Sequence, residues 1–165
     1  MTQAIALLTF ESCELILEQG GSRSWVAKAE RVQEYSYVVL VRNSKHPSAP
    51  HDVEHGAAFL IGRISGVREV DETAANGRPR IQIDVSEYAE VNIADAWGKS
   101  QNPVWFTDFE TLGVDVSKLK FRSVPPRQLS ATKAIDKAAI VGKFRERIAE
   151  LYQVPVRQIE IAIKL

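Results

Sequence analysis

A single cysteine, Cys13, in 165 residues rules out an internal disulfide, and with it the disulfide-stapled class of small secreted scaffolds. Charge of one sign is also missing. The 21 basic groups are matched by 21 acidic ones, which argues against a protein that holds nucleic acid by bulk electrostatics and leaves only a local basic face. No apolar run approaches the ~20 residues that cross a bilayer. The opening Met-Thr-Gln-Ala-Ile-Ala-Leu-Leu-Thr-Phe has no basic segment and runs into Glu11 and Glu14, unlike a secretory signal. G-x-S-x-G, Walker A and G-x-G-x-x-G patterns are absent, so common hydrolase, NTPase and dinucleotide readings have no motif behind them. These absences leave a soluble, cytoplasmic globular protein with no membrane association.

What is present is a chain with 45% hydrophobic and 25% charged residues. A chain of about 150 residues buries roughly 70% of its unfolded surface, so neither metal nor partner is needed for folding. Ala4 to Phe10 reads as a buried strand. Ser12 is placed to cap a short helix through Leu15, Ile16 and Leu17 that stops at Gly20-Gly21. Tyr35 to Val41 is rich in β-branched and aromatic residues and predicts a strand. Asn43 to Gly56 holds Pro47, Pro50 and all three histidines, and reads as a long loop.

Ala57 to Val70 predicts a strand with bulges or close approaches at Gly62 and Gly66. Asn76-Gly77 marks a hairpin, after which Ile81, Ile83 and Val85 alternate in a strand continuing to Ile93. Val104-Trp105-Phe106 is a short apolar run that Thr107 or Asp108 caps into a helical turn ending at Gly113. Leu119 and Phe121 bracket another short strand. Past Pro125-Pro126, Ser130 caps a long helix with Ile135, Val141, Phe144, Ile148 and Leu151 on its apolar face. Ile159, Ile161 and Ile163 then predict a terminal strand. The fold class is therefore α+β: a small curved sheet or β-barrel over residues 1–124 with flanking helices, and a helix-strand extension over 125–165 packed back on it.

Three groups of side chains could carry chemistry. His51-Asp52-Val53-Glu54-His55 matches the inverted zincin spacing H-x-x-E-H, but Pro50 and Gly56 leave barely one helical turn, so His51, Glu54 and His55 are weak metal candidates. Cys13 lies at a predicted helix N-terminus, where a thiol pKa falls, although a lone cysteine among apolar neighbours is usually a packing residue. Trp25, Trp97 and Trp105 stand beside turn signals. An indole there stacks a flat ligand for about 1–3 kcal/mol per base, while Trp105, flanked by Val104 and Phe106, reads as core.

The order of features resembles the PUA-like superfamily that includes EVE, ASCH and YTH domains. The matching pieces are Ser12 to Gly20, Ser24-Trp25, Tyr35 to Asn43, the run Ala58 to Val67 with Gly62 and Gly66, and Asn102 to Phe106 with Leu112. The resemblance covers about residues 4–124 and is one of layout. It implies a PUA-like β-barrel and a pocket for a nucleic-acid base or nucleotide, modified or not. Carried onto this chain, Trp25 is a pocket wall, Ser24 and Asn43 read a base edge, Arg42 meets phosphate and Trp97 is the second wall. Arg23, Lys28, Arg31, Arg42 and Lys45 are close enough in sequence to form a local cationic patch. The reading is a binding module for RNA or DNA bases, not an enzyme, with no cofactor. Its alternatives are a protein-interaction or regulatory component with a protein partner, as in a defence or toxin-related operon, and a metal-dependent hydrolase on the histidine loop.

Overall fold

A computed structural model describes residues 2–98, 100–126 and 137–160. The chain divides into two compact units, Met1–Arg127 and Gln128–Leu165.

The first unit is built on one curved, mixed sheet. Its strands are β1 (Gln3–Thr9), β2 (Gly21–Trp25), β3 (Tyr37–Arg42), β4 (Ala58–Thr73), β5 (Pro79–Ile93), β6 (Val104–Asp108) and β7 (Arg122–Ser123). Along the sheet they run β2-β5-β4-β3-β1-β6, with β7 added to β5. Among the described residues β2 and β6 form the two ends and share no ladder, so the sheet is open, without the closure of a barrel. Pairing is antiparallel except for β1 and β3, which run parallel with Ala4 opposite Tyr37 and Thr9 opposite Arg42. Parallel neighbours require a long crossover. Here it consists of α1 (Cys13–Gln19), β2 and α2 (Ala29–Gln33).

The runs Ala-Ile-Ala-Leu and Val-Val-Leu-Val lack the polar alternation of a half-exposed strand because both faces of β1 and β3 are covered. On one face Ile5, Leu7, Val38 and Leu40 pack with Ile16 of α1 and Val32 of α2. On the other, Ala4, Ala6, Val39 and Val41 meet Phe109 and Leu112 from the turn after β6. That turn is capped as the sequence predicts, with the Thr111 N–H donating to Asp108 Oδ1 at 2.8 Å and Gly113 ending it at φ +68°. The apolar run before it is strand β6, paired to β1, because Val104 to Asp108 completes the sheet edge.

The Ser12 cap also matches: its hydroxyl accepts from the Leu15 N–H at 3.2 Å, and Gly20 closes α1 at φ +72°. β4 and β5 form a long hairpin turning at Ala74–Arg78, with register shifts at Arg63/Ile64 and Ile64/Gly66. Gly62 is a close approach, since a Cβ there would lie 2.6 Å from Val85 Cγ1. The strand expected around Leu119 and Phe121 is displaced to Arg122–Ser123, since Val116–Lys118 forms a 3-10 turn capped by Asp115.

In the second unit, α3 spans Lys137–Tyr152 and is followed by a 3-10 turn at Val156–Gln158. Phe144 and Leu151, assigned above to the buried face, are exposed, and the helix buries Ala149 instead. Its Arg145 and Ala149 side receives the returning chain: the Arg145 Nε–H donates to the Ile159 carbonyl at 2.8 Å and the Val154 N–H to the Ala149 carbonyl at 3.0 Å. Ser130, Ile135, Ile161 and Ile163 lie outside the described residues. No helix among the described residues is long and apolar enough to cross a membrane.

Candidate functional site

Because β1 and β3 are parallel, the loops that leave their C-terminal ends emerge on the same side of the sheet, the usual place for a cleft beside parallel strands. A cavity of about 760 Å³ lies there. Its walls come from the end of β1 and the start of α1 (Phe10, Glu11, Leu15), from β2 (Arg23, Ser24, Trp25) and from the loop after β3 (Asn43, His46). The remainder comes from the β4–β5 hairpin (Glu72, Arg80) and the approach to β6 (Asn102, Pro103).

Two kinds of surface meet in it. One is aromatic. The Phe10 and His46 rings stack at 3.7 Å between centroids and 12° between planes. Phe10 is 41% exposed, so this platform stands at the mouth, next to the exposed Leu15 and Val26. Trp25 is only 8% exposed and belongs mainly to the core. Its indole N–H donates to Ser22 Oγ at 3.0 Å, and Ser22 Oγ in turn donates to Glu11 Oε2 at 2.7 Å.

The other surface is polar. Glu11 is buried, and Thr9 Oγ1 donates to the same Oε2 at 3.3 Å. Burial pushes the Glu11 carboxyl above its ordinary value, against the lowering effect of the Ser22 and Thr9 hydroxyls. At the hairpin side, the Ser24 hydroxyl donates to Glu72 Oε2, Arg23 pairs with Glu72 Oε1 at 3.1 Å, and Arg80 donates to the Ser24 carbonyl at 2.7 Å. The Ser24 hydroxyl, joined by Arg23 and Arg80, holds Glu72 below the usual carboxylate range. Ser24 itself sits at φ +72°, a left-handed conformation that costs a non-glycine residue about 1–3 kcal/mol and that clusters at ligand sites.

Ser24, Trp25 and Asn43 are thus brought together on one cavity, whereas Arg42 and Trp97 are not. Arg42, expected to meet phosphate, has no exposed surface. Its guanidinium donates to both Asp52 carboxylate oxygens at 2.9 and 2.7 Å and to the Glu11 carbonyl at 2.6 Å, and stacks on Phe59 at 3.9 Å. It is consumed in fastening the histidine loop to the sheet. Trp97 lies in the other hydrophobic cluster, edge-on to Trp105 at 5.9 Å. Of the cationic group, Arg23 reaches the cavity, while Arg31 lies over the Phe106 ring at 4.0 Å.

The His51 to His55 segment forms bends and turns, without the helical turn that would align two imidazoles. Among the described residues no group of three or more His, Cys, Asp or Glu is arranged to hold a metal ion. Burial, followed by the nearby Glu90, Glu14 and Asp52 carboxylates, pushes the Cys13 thiol up, opposite to an activated nucleophile.

Phe10, Glu11, His46, Glu72 and Arg80 are among the cavity residues that the sequence does not single out as a site. Phe10-Glu11 directly before the Ser12 cap was the available signal: an aromatic and an acid at the junction of a buried strand and a helix. The site defines a mixed aromatic and polar cleft on an α+β sheet. Comparison of the chain with family models, with curated proteins and with solved structures finds no match.

Proposed function

We propose that this cavity binds a planar nitrogen heterocycle, a nucleobase or nucleotide presented free or in a nucleic acid, and that the chain is a PUA-like binding module rather than an enzyme. The observation that carries the reading is the union, in one 760 Å³ cleft, of a stacked Phe10–His46 platform with carboxylate, amide and guanidinium groups. Ligand clefts of roughly 300–1,000 Å³ combine apolar walls with a few convergent polar groups in this way. Stacking supplies affinity for any base, and the polar groups supply orientation. A neutral protein needs no basic excess for such capture, because the base and not the phosphate is held.

Trp25 contributes as a wall anchored by its N–H, and its burial makes Phe10 the cleaner probe. Phe10→Ala is expected to weaken binding of nucleosides and short oligonucleotides at low salt by about tenfold while leaving the melting temperature almost unchanged. The absence of binding to any nucleoside, nucleotide or oligonucleotide by the wild type would overturn the reading. A second reading, a protein-binding surface, is favoured by one observation: Phe10, Leu15 and Val26 form an exposed apolar rim to the same cleft. A protein partner recovered in stoichiometric amount, and lost with Leu15→Asp, would select it.

A further inference from the structure

We propose that Glu11 makes this cleft selective for bases bearing an exocyclic amino group, the adenine and cytosine type, over their oxo counterparts. The inference rests on the base-binding reading above and names the class of ligand within it.

Glu11 lines the cavity yet is only 8% exposed, and both of its side-chain hydrogen bonds fall on one oxygen, Oε2. Among the described residues no side-chain hydrogen bond is made to Oε1. The Thr9 and Ser22 hydroxyls hold the carboxylate in place through Oε2. An ionised carboxylate accepts and never donates. A ring that presents an amino group to it gains a charge-assisted hydrogen bond, whereas a ring that presents a carbonyl sets two acceptors against each other in a desolvated place.

Charge balance narrows the class further. The lining carries two guanidiniums, Arg23 and Arg80, against two carboxylates, Glu11 and Glu72, with Arg23 already paired to Glu72. The cleft therefore has no surplus charge to hold a phosphate, and the unit it recognises is the neutral base with its sugar. Nucleosides are the appropriate probes.

Two pairs exchange the amino group for an oxo group, adenosine against inosine and cytidine against uridine, the oxo member in each also carrying a proton on the adjacent ring nitrogen. Affinities measured by calorimetry or ligand-observed NMR are expected to favour the amino member of each pair by about tenfold or more. In Glu11→Gln, whose amide offers a donor as well as an acceptor, the ratio should collapse to within about twofold, with amino-base affinity falling and oxo-base affinity holding. A residue that merely supported the wall would lower both members together and leave the ratio intact.

The pH dependence of the wild type supplies a readout that needs no variant. The groups facing Glu11 are the Thr9 and Ser22 hydroxyls, Arg23, and Arg42 at its carbonyl, and His46, Glu72 and Arg80 share the cavity lining. Protonation of Glu11 turns an acceptor into a donor. The amino/oxo ratio should therefore fall as the pH drops through the raised Glu11 value.

Equal affinities within both pairs, with Phe10→Ala weakening all four, would overturn the Glu11 assignment and leave the base-binding reading standing. So would an amino preference that survives Glu11→Gln unchanged. Failure of all four nucleosides to bind would remove both.

Discussion

A guanidinium with no exposed surface must find partners inside the protein, and Arg42 finds four: both oxygens of Asp52, the Glu11 carbonyl and the Phe59 ring. Breaking a buried ion pair from one side leaves the other charge stranded. Asp52→Ala is therefore expected to cost about 2–3 kcal/mol in urea unfolding, below the full buried-pair penalty because Asp52 is 40% exposed and water can reach its place. Glu11 carries a pH signature of its own. Because its folded pKa lies above the ordinary 4.5, its contribution to stability is fully present below that value and is lost as the pH rises through the folded pKa. The melting-temperature difference, Glu11→Gln minus wild type, should grow more positive as the pH rises above the ordinary glutamate value. Neither role was legible in the sequence. Arg42 and Asn43 are adjacent, and only the β3 register decides that one is buried and the other lines the cavity.

At the level of elements, the legible parts are those with punctuation or periodicity. Ser12 and Gly20 bracket α1, Asn76-Gly77 marks the hairpin turn, and Ile81, Ile83 and Val85 display the period of two. β2 was not legible, because Gly-Ser-Arg-Ser-Trp has turn composition; it is a bulged edge strand whose Gly21 lies against the Ile83 carbonyl, leaving no room for a side chain. α2 was missed because five residues with no side-chain cap are too short to show a helical period. Arg23, Ser24 and Trp25 of the cavity lining lie on β2, so without that strand the pairing of Arg23 and Ser24 with Glu72 is not legible. Gly62→Ala tests the tightest contact between β4 and β5. Overpacking against Val85 Cγ1 at 2.6 Å and Val38 Cγ1 at 3.3 Å is expected to cost about 1–3 kcal/mol. Adding Val85→Ala should recover part of that loss in a double-mutant cycle, since it removes the nearer methyl.

At the scale of the molecule, both hydrophobic clusters of the first unit are made from its own residues, on opposite faces of one sheet. A fragment of residues 1–127 is expected to unfold in a single cooperative transition in calorimetry. The position of β1 has a further consequence. It is sandwiched between β3 and β6, so its two hydrogen-bonding edges are satisfied by Tyr37–Arg42 and by Val104–Asp108. During synthesis β1 must wait, with a strongly apolar sequence and one open flank, until the chain from Phe10 to Asp108 has followed it. Such a nascent chain is a natural client for a holding chaperone, and its refolding in vitro should run slowly, in roughly milliseconds to seconds, because the seam that completes the sheet joins its most distant partners.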